Sequence, residues 1–530
     1  MYHNLQRIAK LFAMPISRRR FVAGAFAGLS GFLPRLDALR PRPKLFVFLI
    51  AEQFRQLYLD RTRNLLSPGG FRELMGRGVY YPDCRLAASG FTSSGLATLA
   101  TGAYPSQHGI VADQWYNRKT RAASHARADM LQAMTLADEF AHAGHTRVFC
   151  LGLSESTTSI LAGHSHGIVL WMDNQGQYRT RGNAPEWLAG FNGSRSLEPL
   201  RDRKWTAIGA GSDLPPLRTL TYDPRRPEDF FALYQASPFC QEAQFDLLAA
   251  LAGNEKLGQT DDIDFVFVSL GSIALLGYET GADSPRGQFD SALMDQMTLQ
   301  LDLQIRNMID MFNRAPGKNN YNLIFAAAHG APPQPDPAMR AQLAISGENV
   351  AHAISKALSD SLDKGPSKNV YVDKYVYPFL YLKWDMLAKQ NIAPRAARRM
   401  AGESALSVPG VAGYYTADGD CSHSGDWRRR FENSFHELRS GDVMLSYAPE
   451  AVEDFGSGRG ISYGSLYNYD TSVPLMLYGP QFARKVVERD IRSVDLAPTV
   501  ARAAGIPAPS SATGDVLVEV FAEGEEERPK

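Results

Sequence analysis

Thr92 is the residue of this chain whose setting first suggests chemistry. A short apolar approach ends at Phe91, and Ser93 and Ser94 follow Thr92 directly. A run of small residues and Leu then closes at Gly102. Serine favours a helix start and glycine a helix stop, so this spacing predicts a helix over 94–101 with Thr92 near its N-terminus. A helix start presents free N–H groups and partial positive charge, which suits an anion. A hydroxyl there can attack phosphorus or cap the helix, and the residues alone leave both roles open. Glu52-Gln53-Phe54-Arg55 stands at the end of an apolar strand, where ligands sit in open α/β sheets. His164 and His166 form His-x-His, and Cys421 and His423 share a loop with Asp418, Asp420 and Asp426. Both spacings can bind metal, yet each is read here as structural or solvated.

The elements that must position these residues follow from the hydrophobic pattern. The run at 44–50 is continuously apolar, as in a parallel strand buried on both faces. Further strands are predicted at 146–153, 168–172, 264–270, 322–327 and 473–478, and helices at 61–76, 135–143, 239–253 and 494–504. Phe289, Leu293, Met297, Leu301, Ile305, Met308 and Phe312 recur at three- and four-residue spacing, which makes 289–312 the clearest helix. Strands alternating with helices argue for an α/β sandwich around a mainly parallel sheet.

Composition narrows the class. The 530 residues are 44% hydrophobic and 21% charged, values of a globular protein. Formal net charge is zero and the pI about 7.2, so there is no basic footprint for nucleic acid. Ser17-Arg18-Arg19-Arg20-Phe21 fits a twin-arginine pattern, and a modest apolar run at 21–33 and a Pro/Arg linker at 34–43 follow it. Residues 1–43 therefore read as signal and linker, which implies a periplasmic or secreted protein. No other stretch is apolar for long enough to give the mature chain a stable membrane span. Four cysteines, Cys84, Cys150, Cys240 and Cys421, allow three full pairings; Cys150 falls in a buried strand and reads as core.

The stretch FTSSGLATLATGAYPSQHGIVADQWY, residues 91–116, resembles the nucleophile region of the alkaline phosphatase superfamily. The likeness is to bacterial alkaline phosphatases with a threonine nucleophile, near the type I phosphodiesterases/nucleotide pyrophosphatases, and it runs from about Lys44 to Leu517. It implies an α/β fold over 44–530, a mainly parallel central sheet sandwiched by helices, with cap insertions at about 165–235 and 331–462. Trp187 to Phe191 would belong to the first cap. The implied chemistry is in-line displacement at phosphorus by a threonine alkoxide, with two zinc ions about 4 Å apart. His108 matches a motif read as structural.

Carried over motif by motif, the resemblance also implies losses. The family's strand-end Asp on zinc is Glu52 here, one methylene longer. Thr92 is kept as nucleophile. The Asn that faces a phosphoryl oxygen is Asp113, the second catalytic candidate. Ser154-Glu155-Ser156 stands where the phosphatases have Lys-x-Arg. Ala274 and Tyr278 replace the Asp and His of one zinc, and Tyr463 replaces its other His. At the second zinc Ala328 replaces Asp, and His329 remains. Alanine has no donor atom and neutral tyrosine is a poor zinc ligand. Without zinc, Thr92 keeps an ordinary alcohol pKa, and the sequence identifies no base beside it.

Two functions follow from the resemblance. One is a catalytically degenerate member, a pseudoenzyme whose cleft binds an anionic phosphoryl-containing ligand or whose surface serves a protein partner such as an active paralogue. The other is an active phosphoric ester hydrolase with one zinc on Glu52, Thr92 and His329, with Asp113 or Glu279 as a further donor. Tyr278 and Tyr463 are expected to fill the vacated zinc site.

Overall fold

The computed structural model describes residues 42–209, 214–278, 291–333, 344–364, 369–454, 460–461 and 463–522. The twin-arginine segment, Phe289 and Glu279 lie outside them, as does the side chain of Tyr278.

The central sheet contains β1 (Leu45–Gln53), β2 (Val79–Arg85), β3 (Thr146–Gly152), β4 (Ile168–Met172), β5 (Tyr178–Thr180), β6 (Ile263–Leu270), β7 (Tyr321–His329), β8 (Ser472–Tyr478), β9 (Lys485–Val486) and β10 (Ile491–Arg492). Its order is β9-β2-β8-β7-β1-β6-β3-β4-β5, with β10 also on β2. β1 lies parallel between β6 and β7, and β3 and β4 continue the parallel run. β8 runs antiparallel to both of its neighbours, and β5 is antiparallel to β4. Every residue of β1 and β7 is buried. Strands covered on both faces have no polar face to present, hence the unbroken apolar runs. Phe46 stacks on Phe265 and Phe48 on Phe267 at centroid distances of 5.1 and 4.3 Å, each pair being register partners across β1 and β6.

Both strands at the centre run further than expected. The ladder continues to Gln53↔His329, so Glu52 and His329 are strand residues at adjacent C-terminal ends.

Helices flank the sheet: α1 (Phe71–Arg77), α2 (Thr92–Thr101), α3 (Glu155–Ala162), α4 (Pro238–Asn254), α5 (Ser272–Tyr278), α6 (Ser291–Phe312) and α7 (Leu496–Ala504). In α6, Leu293, Met297, Leu301, Ile305, Met308 and Phe312 are buried, as their spacing predicts. The helix expected over 61–76 is instead two, Gln56–Thr62 and α1. Asp302 of α6 pins the break, accepting Ser67 N at 2.6 Å and Phe71 N at 2.7 Å. A Cβ on Gly70 would overlap that carboxylate.

Within 165–235, β4 and β5 complete the sheet edge, and a helix at Glu186–Gly193 follows. Within 331–462 lies a separate antiparallel sheet of Val372–Val376, Phe379–Leu382, Val443–Tyr447 and Val411–Thr416. It has its own core, including Ile354, Leu358, Leu380 and Leu445. All four cysteines are free thiols, and Cys150 is fully buried.

α2 packs on β7 at one point of very close approach. A Cβ on Gly95 would overlap the carbonyl oxygen of Ala328, which is backbone and cannot turn aside. Gly95→Ala is therefore expected to destabilise the fold by about 1–3 kcal/mol, as other overpacked sites do. Gly76, in α1, has no atom within 4 Å of the point where a Cβ would stand, so Gly76→Ala should stabilise by about 0.5–1 kcal/mol. Urea unfolding of the two variants checks both signs; equal midpoints would show that the Gly95 contact does not constrain the helix.

Candidate active site

α2 opens at Thr92 itself, two residues earlier than its serines suggest. Phe91 is the N-cap, in extended conformation, and supplies no side-chain cap. Asp113 does that work from outside the helix: its Oδ1 accepts Ser93 N at 2.7 Å. The helix ends as predicted at Gly102, with φ of 68°.

Thr92 is nearly buried and lies against His329, with Oγ1 2.9 Å from Nε2. The other ring nitrogen, Nδ1, is 2.6 Å from the carbonyl oxygen of Gly330. A carbonyl only accepts, so Nδ1 carries the proton and Nε2 is left to accept from the Thr92 hydroxyl. The hydrogen-bond acceptor beside Thr92 that the sequence did not reveal is thus a residue read there only as a metal ligand. Burial pushes His329 down to about 4, so its imidazole is neutral at physiological pH.

Tyr463 closes over this pair. Its ring stacks on His329 at 4.4 Å, and its hydroxyl donates to Asp113 Oδ2 at 3.0 Å. The Asp113 carboxylate therefore receives both a helix N–H and a phenol. Gly464, with φ of 100°, allows the Tyr463 loop to lie on Phe91, whose ring a Cβ would overlap. Asp470 anchors that loop by accepting Ser465 N at 2.9 Å and Ser465 Oγ at 2.6 Å.

Glu52 comes to the same place from β1. Ser269 Oγ donates to its Oε1 at 2.8 Å, and the Thr157 hydroxyl also bonds to it. Burial, then the nearby Asp113, raises its pKa above the usual carboxylate range. Glu52, Thr92 and Asp113 line one cavity of about 280 Å³, with Phe91, Tyr377 and Tyr463 supplying aromatic walls. Among the described residues that line it there is no Lys or Arg. At 154–156, which the resemblance sets against the phosphatases' Lys-x-Arg, Ser154 and Ser156 hydrogen-bond to each other at 2.7 Å, and Glu155 pairs with Arg181.

The structure thus gathers Glu52, Thr92, Asp113 and His329. Ser269, Thr157 and Tyr377 were missed, although Ser269 is a polar residue near the end of an apolar run, a signal the sequence did carry. Ala274 and Ala328 are buried methyl groups. Among the described residues, no three His, Cys, Asp or Glu side chains come together to hold a metal ion. His108 is fully buried between Thr98 Oγ1 and Ile110 N, a structural position. His164 lies beside Asp138, while Asp418, Asp420 and Asp426 pair with Arg398, Arg395 and Arg430.

The sequence signature of type I phosphodiesterase / nucleotide pyrophosphatase matches residues 46–399. The chain belongs to that family, within the alkaline phosphatase superfamily. It is 22% identical to alkaline phosphatase PafA of Elizabethkingia meningoseptica, over 91% of this chain and 95% of that protein. It is 23% identical to a protein of Myroides odoratus named calcium-transporting ATPase, again over 91% and 95%. The crystal structure of PafA superimposes with a TM-score of 0.76 at 20% identity, covering 91% of this chain and 99% of that one. Murine ectonucleotide pyrophosphatase/phosphodiesterase 5 gives 0.52 at 15% identity, covering 87% and 95%. No described helix is long and apolar enough to cross a membrane.

Burial raises Asp470 to about 7, against about 4 for an unfolded aspartate. The folded state therefore holds an extra proton across that window. Stability present below about pH 4 is lost as pH rises through 7, by about 1.4 kcal/mol per pH unit. Asp470→Asn can still accept from Ser465 but cannot ionise. Urea midpoints measured from pH 4 to pH 8 should shift in favour of the variant as pH rises; a gap independent of pH would contradict the assignment.

Proposed function

We propose that this protein keeps the fold and cleft of its family without the two-metal hydrolysis of phosphoric esters. One observation carries the reading: the Asp113 carboxylate occupies the helix start beside Thr92, held by Ser93 N and Tyr463. A helix N-terminus attracts an anion, and here the chain supplies that anion itself. An incoming phosphoryl oxygen would meet negative charge where the family resemblance places an amide.

The donor set does not fit a zinc pair. Ala274 and Ala328 offer no donor atom, Tyr463 engages Asp113, and the Nε2 of His329 already serves Thr92. Among the described residues of the cavity lining the basic side chain is His125, and no Lys or Arg replaces the cationic grip on a phosphate monoester. Electrostatic stabilisation by such groups supplies several kcal/mol each, so their joint loss corresponds to many orders of magnitude in rate. The pattern at 17–21 supports export, and the periplasm or the cell exterior as the place of action.

A second reading is favoured by the Thr92–His329 hydrogen bond. A hydroxyl paired with a neutral, correctly protonated imidazole is an activated nucleophile, and a phosphoric ester hydrolase can be built on it. A single zinc on Glu52, Thr92 and His329 would have to replace that bond.

Hydrolysis of 4-nitrophenyl phosphate and bis(4-nitrophenyl) phosphate, with and without added zinc, separates the two when run beside Thr92→Ala. The non-hydrolysing reading expects equal background rates in both proteins. Turnover abolished by Thr92→Ala would establish the second reading and sink the first.

A further inference from the structure

The cavity beside Thr92 retains volume but has the wrong charge for the family's ligands. Its carboxyl and imidazole groups are Glu52, Asp113 and His125, and no Lys or Arg lines it among the described residues. Its apolar surface is aromatic. Phe91 lies edge-on to Tyr377 at 5.7 Å and to Tyr463 at 6.2 Å, so three rings adjoin along one wall. Tyr463 joins the two features, with its ring in that wall and its hydroxyl on Asp113. A carboxylate beside aromatic rings recognises cations, since each ring presents a negative face and an ionised carboxylate a full charge. His125 also lines the cavity, but among the described residues it does not come together with Glu52 and Asp113 as a group able to hold a metal ion.

We propose that the cavity lined by Phe91, Asp113, Tyr377 and Tyr463 binds a small organic ammonium ion, primary or quaternary, in place of a phosphate ester. The inference rests on the reading that the cleft does not hydrolyse phosphoric esters. The Asp113 carboxylate compensates the ligand's charge, and the rings contact its alkyl groups. The volume of about 280 Å³ suits a compact ion.

The test is isothermal titration calorimetry of the full chain with choline, with its neutral isostere 3,3-dimethylbutan-1-ol, and with inorganic phosphate. Choline is expected to bind at least about tenfold more tightly than the isostere, the effect of a cation beside aromatic rings and a carboxylate, and phosphate not measurably. Asp113→Asn should remove most of that preference. Equal binding of choline and the isostere, tighter binding of phosphate, or no choline binding would each overturn the proposal, with no need for a variant that folds. Repeating the titration on Thr92→Ala separates this inference from the hydrolysis reading. Choline binding retained there stands even if the wild-type protein turns over an aryl phosphate, and its loss there counts against the cavity assignment.

Discussion

The cleft depends on how closely one helix can approach one strand. Thr92 reaches His329 because α2 rests directly on the backbone of β7, and it can do so because Gly95 brings no side chain to the contact. Strand pairing sets the other coordinates. β1 and β7 share a ladder to their last residues, so Glu52 and His329 emerge side by side with little freedom. The loop carrying Tyr463 is then fitted over them, pinned by Asp470 from below and by Phe91 from the side. A hydroxyl, an imidazole, a carboxyl and a phenol are brought together by backbone elements, and contacts between Thr92, His329, Tyr463 and Asp113 then fix their orientation.

Burial pushes the two central titratable groups towards neutrality from opposite directions. Glu52 rises because its anion is desolvated, and His329 falls because its cation is. In a two-metal site, the metal charge would oppose the rise at Glu52 and deepen the fall at His329. Here hydrogen bonds from Ser269 and Thr157 satisfy the acid, and Gly330 and Thr92 satisfy the base. Asp113 differs in being only partly buried and in receiving a helix N–H.

Much of this was legible in the sequence. The buried strands announced themselves as unbroken apolar runs, α6 as a three- and four-residue repeat, and Thr92 with its surroundings through the family motif. Features that depend on distant contacts were not legible. The break before Phe71 is held by Asp302, more than two hundred residues away, and no local pattern shows it. The serines after Thr92 looked like caps, but the cap is a carboxylate delivered by the loop beyond the helix. The replacement of a histidine by Tyr463 could be read as a lost ligand; that its ring would stack on His329 and its hydroxyl hold Asp113 could not, because both contacts cross more than a hundred residues.

The ends of the central sheet bear on how this protein behaves in company. Each terminates in a very short strand, Tyr178–Thr180 on one side and Lys485–Val486 on the other. Long, flat edge strands are templates onto which another chain can add by backbone pairing. Two or three residues offer few open N–H and C=O groups, and Lys485 and Val486 are both solvent-exposed with a charge among them. A ten-stranded apolar sheet is thereby protected from edge-to-edge aggregation at the two places where it is most vulnerable.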